Sequence, residues 1–253
     1  MNAKYFDLEN KRVLVTGGGS GIGASIVEHF CEQGSEVYFV DINVEDSNNL
    51  VTEIKNKNYK TPTFIKCDLL NIKKFQNVLE NIISEKGPIN ILVNNAANDE
   101  RHTIDEVTVD LWNERININL RHFFFAVQSV KSAMIKEKKG VIVNMGSLSW
   151  MVGMGGMPAY TAAKAGVEAL TRSFAKDLGE HNIRVNTVVP GWTMTKRQVE
   201  KWLTPEAEKK LIEDQCLKHK LMPSDIAKAV LFFSSEQSSG CTNQSYIVDK
   251  GKL

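Results

Sequence analysis

The chain has almost no net charge: 31 basic residues are set against 30 acidic ones, a formal +1. That balance gives no electrostatic footing for nucleic acid or an anionic membrane surface. The densest basic run, Lys136 to Gly140 (KEKKG), is interrupted by Glu137 and stops at a glycine, which fits a solvated helix end. Cysteine is scarce and scattered. Cys31, Cys67, Cys216 and Cys241 make no CxxC pair and match no zinc spacing. Isolated thiols in a chain of this size fit a reducing compartment, not a disulfide scaffold. The five histidines (His29, His102, His122, His181, His219) show neither HxxxH nor HExxH spacing, so no metal site is expected. The first twelve residues, MNAKYFDLENKR, lack the apolar core of a signal peptide, and no segment approaches the length of a membrane span. A cytoplasmic location is the expectation. No internal repeat, linker or low-complexity tract divides the chain.

What is present is a regular alternation. The 253 residues are 42% hydrophobic and 24% charged, a globular composition, and an α/β unit of this length can be a single domain over 1–253. Short β-branched runs at 12–17, 36–41, 63–68, 89–96, 140–147, 183–191 and 245–251 read as strands. Helical stretches fall between them at 21–33, 44–57, 72–86, 105–138 and from Tyr160 to about Gly179, with another at 224–235 capped by Ser224. Residues 193–219 are more polar and read as a helical insertion on the substrate side. Continuous apolar strands alternating with helices predict a doubly wound α/β domain of the Rossmann type. Its parallel seven-stranded sheet would be covered on both faces, with ligands at the carboxyl ends of the strands.

Between the first strand and first helix lies VTGGGSGIGASI. Gly19, Gly21 and Ala24 fit G-x-G-x-x-A, and Gly17, Gly21 and Gly23 fit G-x-x-x-G-x-G. Glycines at this place let the backbone approach a pyrophosphate at the helix N-terminus, so a dinucleotide site is expected; the alternative is a purely structural turn. Asp41 closes the second strand, where a carboxylate accepts hydrogen bonds from the adenosine ribose and repels a 2′-phosphate. No basic residue stands near it, which favours NAD over NADP; a helix N-cap is its other reading.

A tyrosine and a lysine four residues apart, in PAYTAAKAG (158–166), share one face of a helix among small residues. By itself this could equally be a surface Tyr packed over a Lys stem. The ordered set decides. TGGGSGIG, CD at 67–68, NNAA at 94–97, a serine at the end of the fifth strand, YTAAK and PGWTMT resemble the short-chain dehydrogenase/reductase family over about Lys11 to Gly251. The one departure is Ala97, where glycine is commoner. The resemblance implies an NAD(P)-dependent oxidoreductase, a homotetramer, and a catalytic set of Asn119 (with Asn117 as rival), Ser147, Tyr160 and Lys164. It implies cofactor contacts from Gly17, Ser20, Gly21, Ile22, Gly23, Asp41, Asp68, Leu69, Asn95, Ala96, Tyr160, Lys164, Pro190, Thr193 and Thr195, with Asn94 supporting the same segment.

Free tyrosine, with a pKa of about 10, is a poor base at neutral pH, and bringing it near neutrality takes roughly 4 kcal/mol. One ammonium at about 4 Å, at an effective dielectric near 20, supplies about that much. Lys164, aided by the positive nicotinamide, is therefore expected to make Tyr160 a phenolate. Ser147 would orient the substrate oxygen, and Asn119 would hold a water leading from Lys164 to solvent. The readings of Ser147 as a strand-end cap and Asn119 as a satisfied core amide stay open. Residues 98–108, 119–125, 146–150 and 195–206 resemble the sugar-oxidising branch of the family, the NAD-dependent aldose 1-dehydrogenases. Asn98, Ser147, Tyr160 and Trp150, which could stack on a sugar face, are the candidate substrate contacts. Trp150, Trp192 and Trp202 read either as core or as walls of the pocket, Met151, Met154 and Met157 as loop packing, and His102 and His122 as structural or surface residues. A 3-oxoacyl thioester reductase and a catalytically inactive nucleotide-binding regulator are the alternatives.

Overall fold

The computed structural model describes residues 3–253; Met1 and Asn2 lie outside the described residues. Seven strands form the sheet: β1 (Arg12–Thr16), β2 (Glu36–Asp41), β3 (Thr63–Lys66), β4 (Ile91–Asn94), β5 (Gly140–Met145), β6 (Ile183–Pro190) and β7 (Ser245–Val248). Their order is β3-β2-β1-β4-β5-β6-β7, and every pair is parallel. The helices are α1 (Gly21–Glu32), α2 (Val44–Asn56), α3 (Ile72–Lys86), α4 (Val109–Ile116), α5 (His122–Glu137), α6 (Pro158–Leu178), α7 (Lys196–Trp202), α8 (Pro205–Asp214) and α9 (Pro223–Ser234).

Successive strand residues feed opposite faces. Val13 and Val15 enter the core under α1 and α9 with Ile26, Phe30 and Ile226, whereas Leu14 enters the core under α3, α5 and α6 with Phe75, Val130 and Leu178. That is the period-two rule applied to strands buried on both sides, and it explains why they read as unbroken apolar runs. Each fully buried aliphatic or aromatic side chain contributes roughly 1.5–3 kcal/mol. β1 pairs with β2 on one side and β4 on the other, so the winding reverses between β1 and β4 and opens a crevice at their carboxyl ends.

Several boundaries differ from expectation. The strands expected to reach residues 68, 96, 147 and 251 stop at Lys66, Asn94, Met145 and Val248, because the residues beyond them leave the ladder to form the loops of the carboxyl edge. The long helix expected over 105–138 is two helices. Thr108 caps α4, its hydroxyl accepting from the Leu111 N–H at 3.1 Å, and a π-helical turn at Asn117–Arg121 separates α4 from α5. The insertion expected at 193–219 holds α7 and α8, parted where Thr204 caps α8 ahead of Pro205. Ser224 does not cap α9. The helix begins at Pro223 with Met222 at the N-cap position, and the Asp225 carboxylate accepts from the Met222 N–H at 3.0 Å. Asp41 does not cap α2; Asn43 does, accepting from the Asp46 N–H at 3.2 Å.

Candidate active site

The glycine turn leaves β1 and enters α1. Gly17 adopts φ +64°, and a Cβ there would lie 2.8 Å from the Ala96 Cα. A Cβ on Gly23 would lie 1.9 Å from the Gly17 carbonyl oxygen, so the turn and the first turn of α1 interlock only without side chains. Asn95 pins the turn from β4, its amide donating to the Thr16 and Gly17 carbonyls at 3.0 and 2.9 Å. Ser20, the residue before α1, makes no side-chain cap, which leaves the N–H groups of the helix N-terminus without a capping side chain. Asp41 leans over the same turn: one carboxylate oxygen accepts from the Gly19 N–H at 2.8 Å, the other from the Asn43 N–H at 2.9 Å. A carboxylate has about four acceptor positions, so two backbone bonds hold it in place and leave capacity for a diol. Asp68 accepts from the Leu70 N–H at 2.9 Å, and Leu69 is buried beside it. A backbone cradle without Cβ atoms, an uncapped helix N-terminus and a pre-positioned carboxylate suit a dinucleotide.

The cleft next to this turn is lined by Ile22, Asn95, Ser147, Tyr160, Lys164, Pro190, Thr193 and Thr195, among others, so the sheet edge, α6 and the loop after β6 meet there. Tyr160 is in the first turn of α6. A hydrogen bond with the Ser147 hydroxyl favours its ionised form, but burial outweighs this and, with the Asp99 charge, pushes the phenol up to about 12. Lys164, one turn on, is buried, and its Nζ donates to the Met145 carbonyl at 2.7 Å. Burial pushes that amine down to about 7, against the pull of Asp99 and Glu168. The Lys164 Nζ is 5.7 Å from the centroid of the Tyr160 ring and 5.1 Å from that of Phe123. Lys164 by itself does not bring Tyr160 near neutrality, which fits the expectation that the nicotinamide charge must act with it. The ammonium is spent on a carbonyl in an apolar setting, and further positive charge is needed at the site.

Asn119 sits in the π-helical turn, fully buried. Its amide donates to the Asn98 and Arg115 carbonyls at 3.0 and 2.9 Å, and its Oδ1 accepts from the Asn98 N–H at 2.8 Å. Both amide hydrogens are used, so the side chain holds the loop after β4, and a water at Asn119 would have to donate to one of its oxygens. Asn98 is part of that scaffold and does not line the cleft, its own Oδ1 accepting from the Glu100 N–H at 3.0 Å. Trp150, in a short turn after Ser147, also lies outside the cleft lining; Trp192 lines it instead, with Asp99 and Arg101. Met154 and Met157 line the cleft as well, contrary to their reading as loop packing, while Met151 does not.

The contacts that fasten α7 beside this cleft are not legible in the sequence. The Gln198 amide donates to Asp99 at 2.6 Å and accepts from the Trp192 indole at 2.8 Å. Arg197 pairs with Glu100 at 2.6 Å and Asp99 at 3.4 Å, and Lys201 pairs with Glu100 at 3.1 Å. Arg101, Arg197 and Lys201 surround the Trp202 ring at 5.1, 5.5 and 5.6 Å from its centroid. The partners lie about a hundred residues apart in the chain, and no local pattern links them. Thr195 starts this helix as its cap, accepting from the Gln198 N–H at 3.3 Å. Among the described residues no cluster of His, Cys, Asp and Glu could hold a metal ion, and no helix is long and apolar enough to cross a membrane.

The family model described as enoyl-(acyl carrier protein) reductase matches residues 17–252. The chain is 45% identical over 250 residues to a D-xylose 1-dehydrogenase of Caulobacter vibrioides, covering 99% of this chain and 98% of that protein. It is 42% identical, with the same coverage, to a Rhizobium meliloti protein named "Probable galactose dehydrogenase GalD". A solved 7α-hydroxysteroid dehydrogenase, complexed with NADH and 7-oxo glycochenodeoxycholic acid, superposes with TM-score 0.92 at 31% identity, covering 99% of this chain and 97% of that one. With this sheet order, glycine turn and Tyr-Lys helix, the chain belongs to the short-chain dehydrogenase/reductase family of nicotinamide-dinucleotide-dependent oxidoreductases.

Proposed function

We propose that the protein is an NAD-dependent sugar dehydrogenase that oxidises the C1 hydroxyl of an aldose to a lactone. One observation carries the reading. Ser147, Tyr160 and Lys164 meet in a cleft that Asp99, Arg101, Gln198 and Trp192 also line beside the apolar Val152, Met154 and Met157, which supplies charged and amide groups for the hydroxyls of a small polyhydroxy substrate. The names of the relatives from Caulobacter vibrioides and Rhizobium meliloti point the same way.

Bound nicotinamide would supply the hydride acceptor and a further positive charge beside Tyr160. Ser147 holds the C1 oxygen. Tyr160, as phenolate, would take the hydroxyl proton, and the dinucleotide would accept the C1–H pair as hydride as the carbonyl forms. Lys164, buried one helical turn on, would add positive charge beside Tyr160, and the proton that Tyr160 takes would pass to solvent at the cleft mouth. Asn119 holds the loop after β4 in register with α6. Asp41, without a basic neighbour in sequence, favours NAD over NADP. We further take the unit to be one domain, homotetrameric and cytoplasmic.

The test is a screen of pentoses and hexoses with NAD and NADP, with product analysis. Formation of a lactone or its aldonic acid from an aldose, with NAD preferred, bears the reading out. Silence with every aldose, alongside turnover of a 3-oxoacyl thioester, replaces it with the reductase reading. Silence with all substrates despite NAD binding replaces it with a non-catalytic nucleotide-binding protein.

A further inference from the structure

The helix that carries Tyr160 begins without a cap of its own. Met157 occupies the N-cap position and makes no side-chain cap bond, and Pro158 follows with no N–H to offer. The next N–H, that of Ala159, belongs to a residue with 0% exposure. A donor stranded there would cost stability and leave the first turn loose, because helix N-termini rely on side chains for such groups. Its partner comes from 57 residues earlier: the Nε2 of His102 accepts the Ala159 N–H at 3.3 Å.

His102 is itself fixed on both sides. It is 5% exposed, its Nδ1 faces the Glu100 carbonyl at 2.9 Å, and its backbone N–H donates to the Gly156 carbonyl at 2.8 Å. A carbonyl only accepts, so Nδ1 carries the proton and Nε2 keeps the lone pair that the helix needs. The glycines before α6 stand in open space: a Cβ on Gly153, Gly155 or Gly156 would meet nothing within 4 Å.

We infer that His102 is a positioning residue: it caps the catalytic helix from the loop after β4, and so sets the distance between Tyr160 and the substrate wall formed by Asp99 and Arg101. The inference rests on the proposed role of Tyr160. A small displacement of a reacting group is costly in rate, of order 10²-fold for about 1 Å. Dinucleotide binding at the glycine turn does not involve this contact.

The experiment compares His102→Leu, which removes the acceptor, with His102→Gln, whose amide oxygen can stand near the Nε2 position. Tyr160→Phe is the control. Turnover is measured with NAD and D-xylose, or with D-galactose if that is oxidised faster, together with KM for NAD and thermal unfolding. The expected result is a fall in kcat of about tenfold or more for His102→Leu with KM for NAD within about twofold, and recovery of most of kcat in His102→Gln. The inference is overturned if His102→Leu keeps kcat within about twofold of the parent, if His102→Gln is no better than His102→Leu, or if kcat in both follows Tm alone. Retained turnover in Tyr160→Phe would instead remove the proposed function, whatever the His102 variants do.

Discussion

Asn119 and Asn98 are bonded to each other twice, side-chain amide to backbone, at 2.8 and 3.0 Å. The pair ties the π-helical turn between α4 and α5 to the loop that leaves β4. Replacing Asn119 by Ala removes the partner of the part-buried Asn98 N–H and carbonyl and strands the buried Arg115 carbonyl. An unsatisfied buried group costs about 1–3 kcal/mol, so Asn119→Ala is expected to unfold at measurably lower urea concentration than the parent. Because the loop also carries Asp99 and Arg101, kcat falls too. Unchanged urea stability would show that the double bond is not formed in solution.

Tyr160 is expected to ionise late in the chain alone, since burial holds it at about 12. Positive charge from bound NAD should bring its ionisation to lower pH. Ultraviolet difference titration of tyrosinate, read as the parent minus Tyr160→Phe, measures this directly. The expected outcome is no Tyr160 signal below about pH 10 without cofactor and a clear one with NAD. The Tyr160→Phe enzyme should bind NAD yet turn over about 10²-fold more slowly or worse.

Asp41 is held by the Gly19 and Asn43 N–H groups, in the turn that would receive the adenosine ribose. NAD should exceed NADP by about tenfold or more in kcat/KM, roughly 1.4 kcal/mol. Asp41→Ala should lose part of that preference by removing the repulsion toward a 2′-phosphate. Equal use of both cofactors by the parent, or a preference that does not move in the variant, excludes the assignment.

His122 is fully buried on the far side of Lys164, its Nε2 donating to the Ala96 carbonyl at 3.1 Å. Burial pushes it down to about 3 from an ordinary value of 6.5, with the Lys164 charge adding to the effect and the Ala96 bond opposing it. Between those two pH values the unfolded chain binds a proton that the folded chain does not. Stability contributed by the neutral ring is therefore complete above about pH 6.5 and is lost as pH falls toward about 3, by up to about 1.4 kcal/mol per pH unit. His122→Gln, which keeps a donor for Ala96 and cannot titrate, should show a shallower fall of stability across that window. An identical slope in parent and variant contradicts the buried neutral imidazole.

Helix α7 is fastened by ion pairs whose members are close to half exposed. Such pairs are weak singly and screened by salt. Glu100→Gln loses both of its cationic partners. It should raise KM for the sugar at low ionic strength and approach the parent in high salt, as read from KM measured across a salt series.

Local periodicity makes much of this protein legible in its sequence. Unbroken apolar runs made the strands of a two-sided sheet legible, because each strand is buried on both faces. The glycine turn and the i, i+4 placement of Tyr160 and Lys164 were legible because their geometry spans only a few residues. Asp41 was legible from its place at the end of a strand. What escaped depends on contacts between distant segments. Nothing near Asn119 in sequence says that its amide hydrogens are spent on Asn98 and Arg115. Of the tryptophans open to either reading, only the packed fold decides that Trp192 lines the cleft and Trp150 does not. The His102 cap and the clamp of α7 on Asp99 and Glu100 join residues 57 to 101 positions apart. The local sequence determined which elements form and which side chains share a face. Only the packed fold decided which loops meet over the cleft, because that follows from the sheet order and the lengths of the connections, and neither is encoded within a single turn of chain.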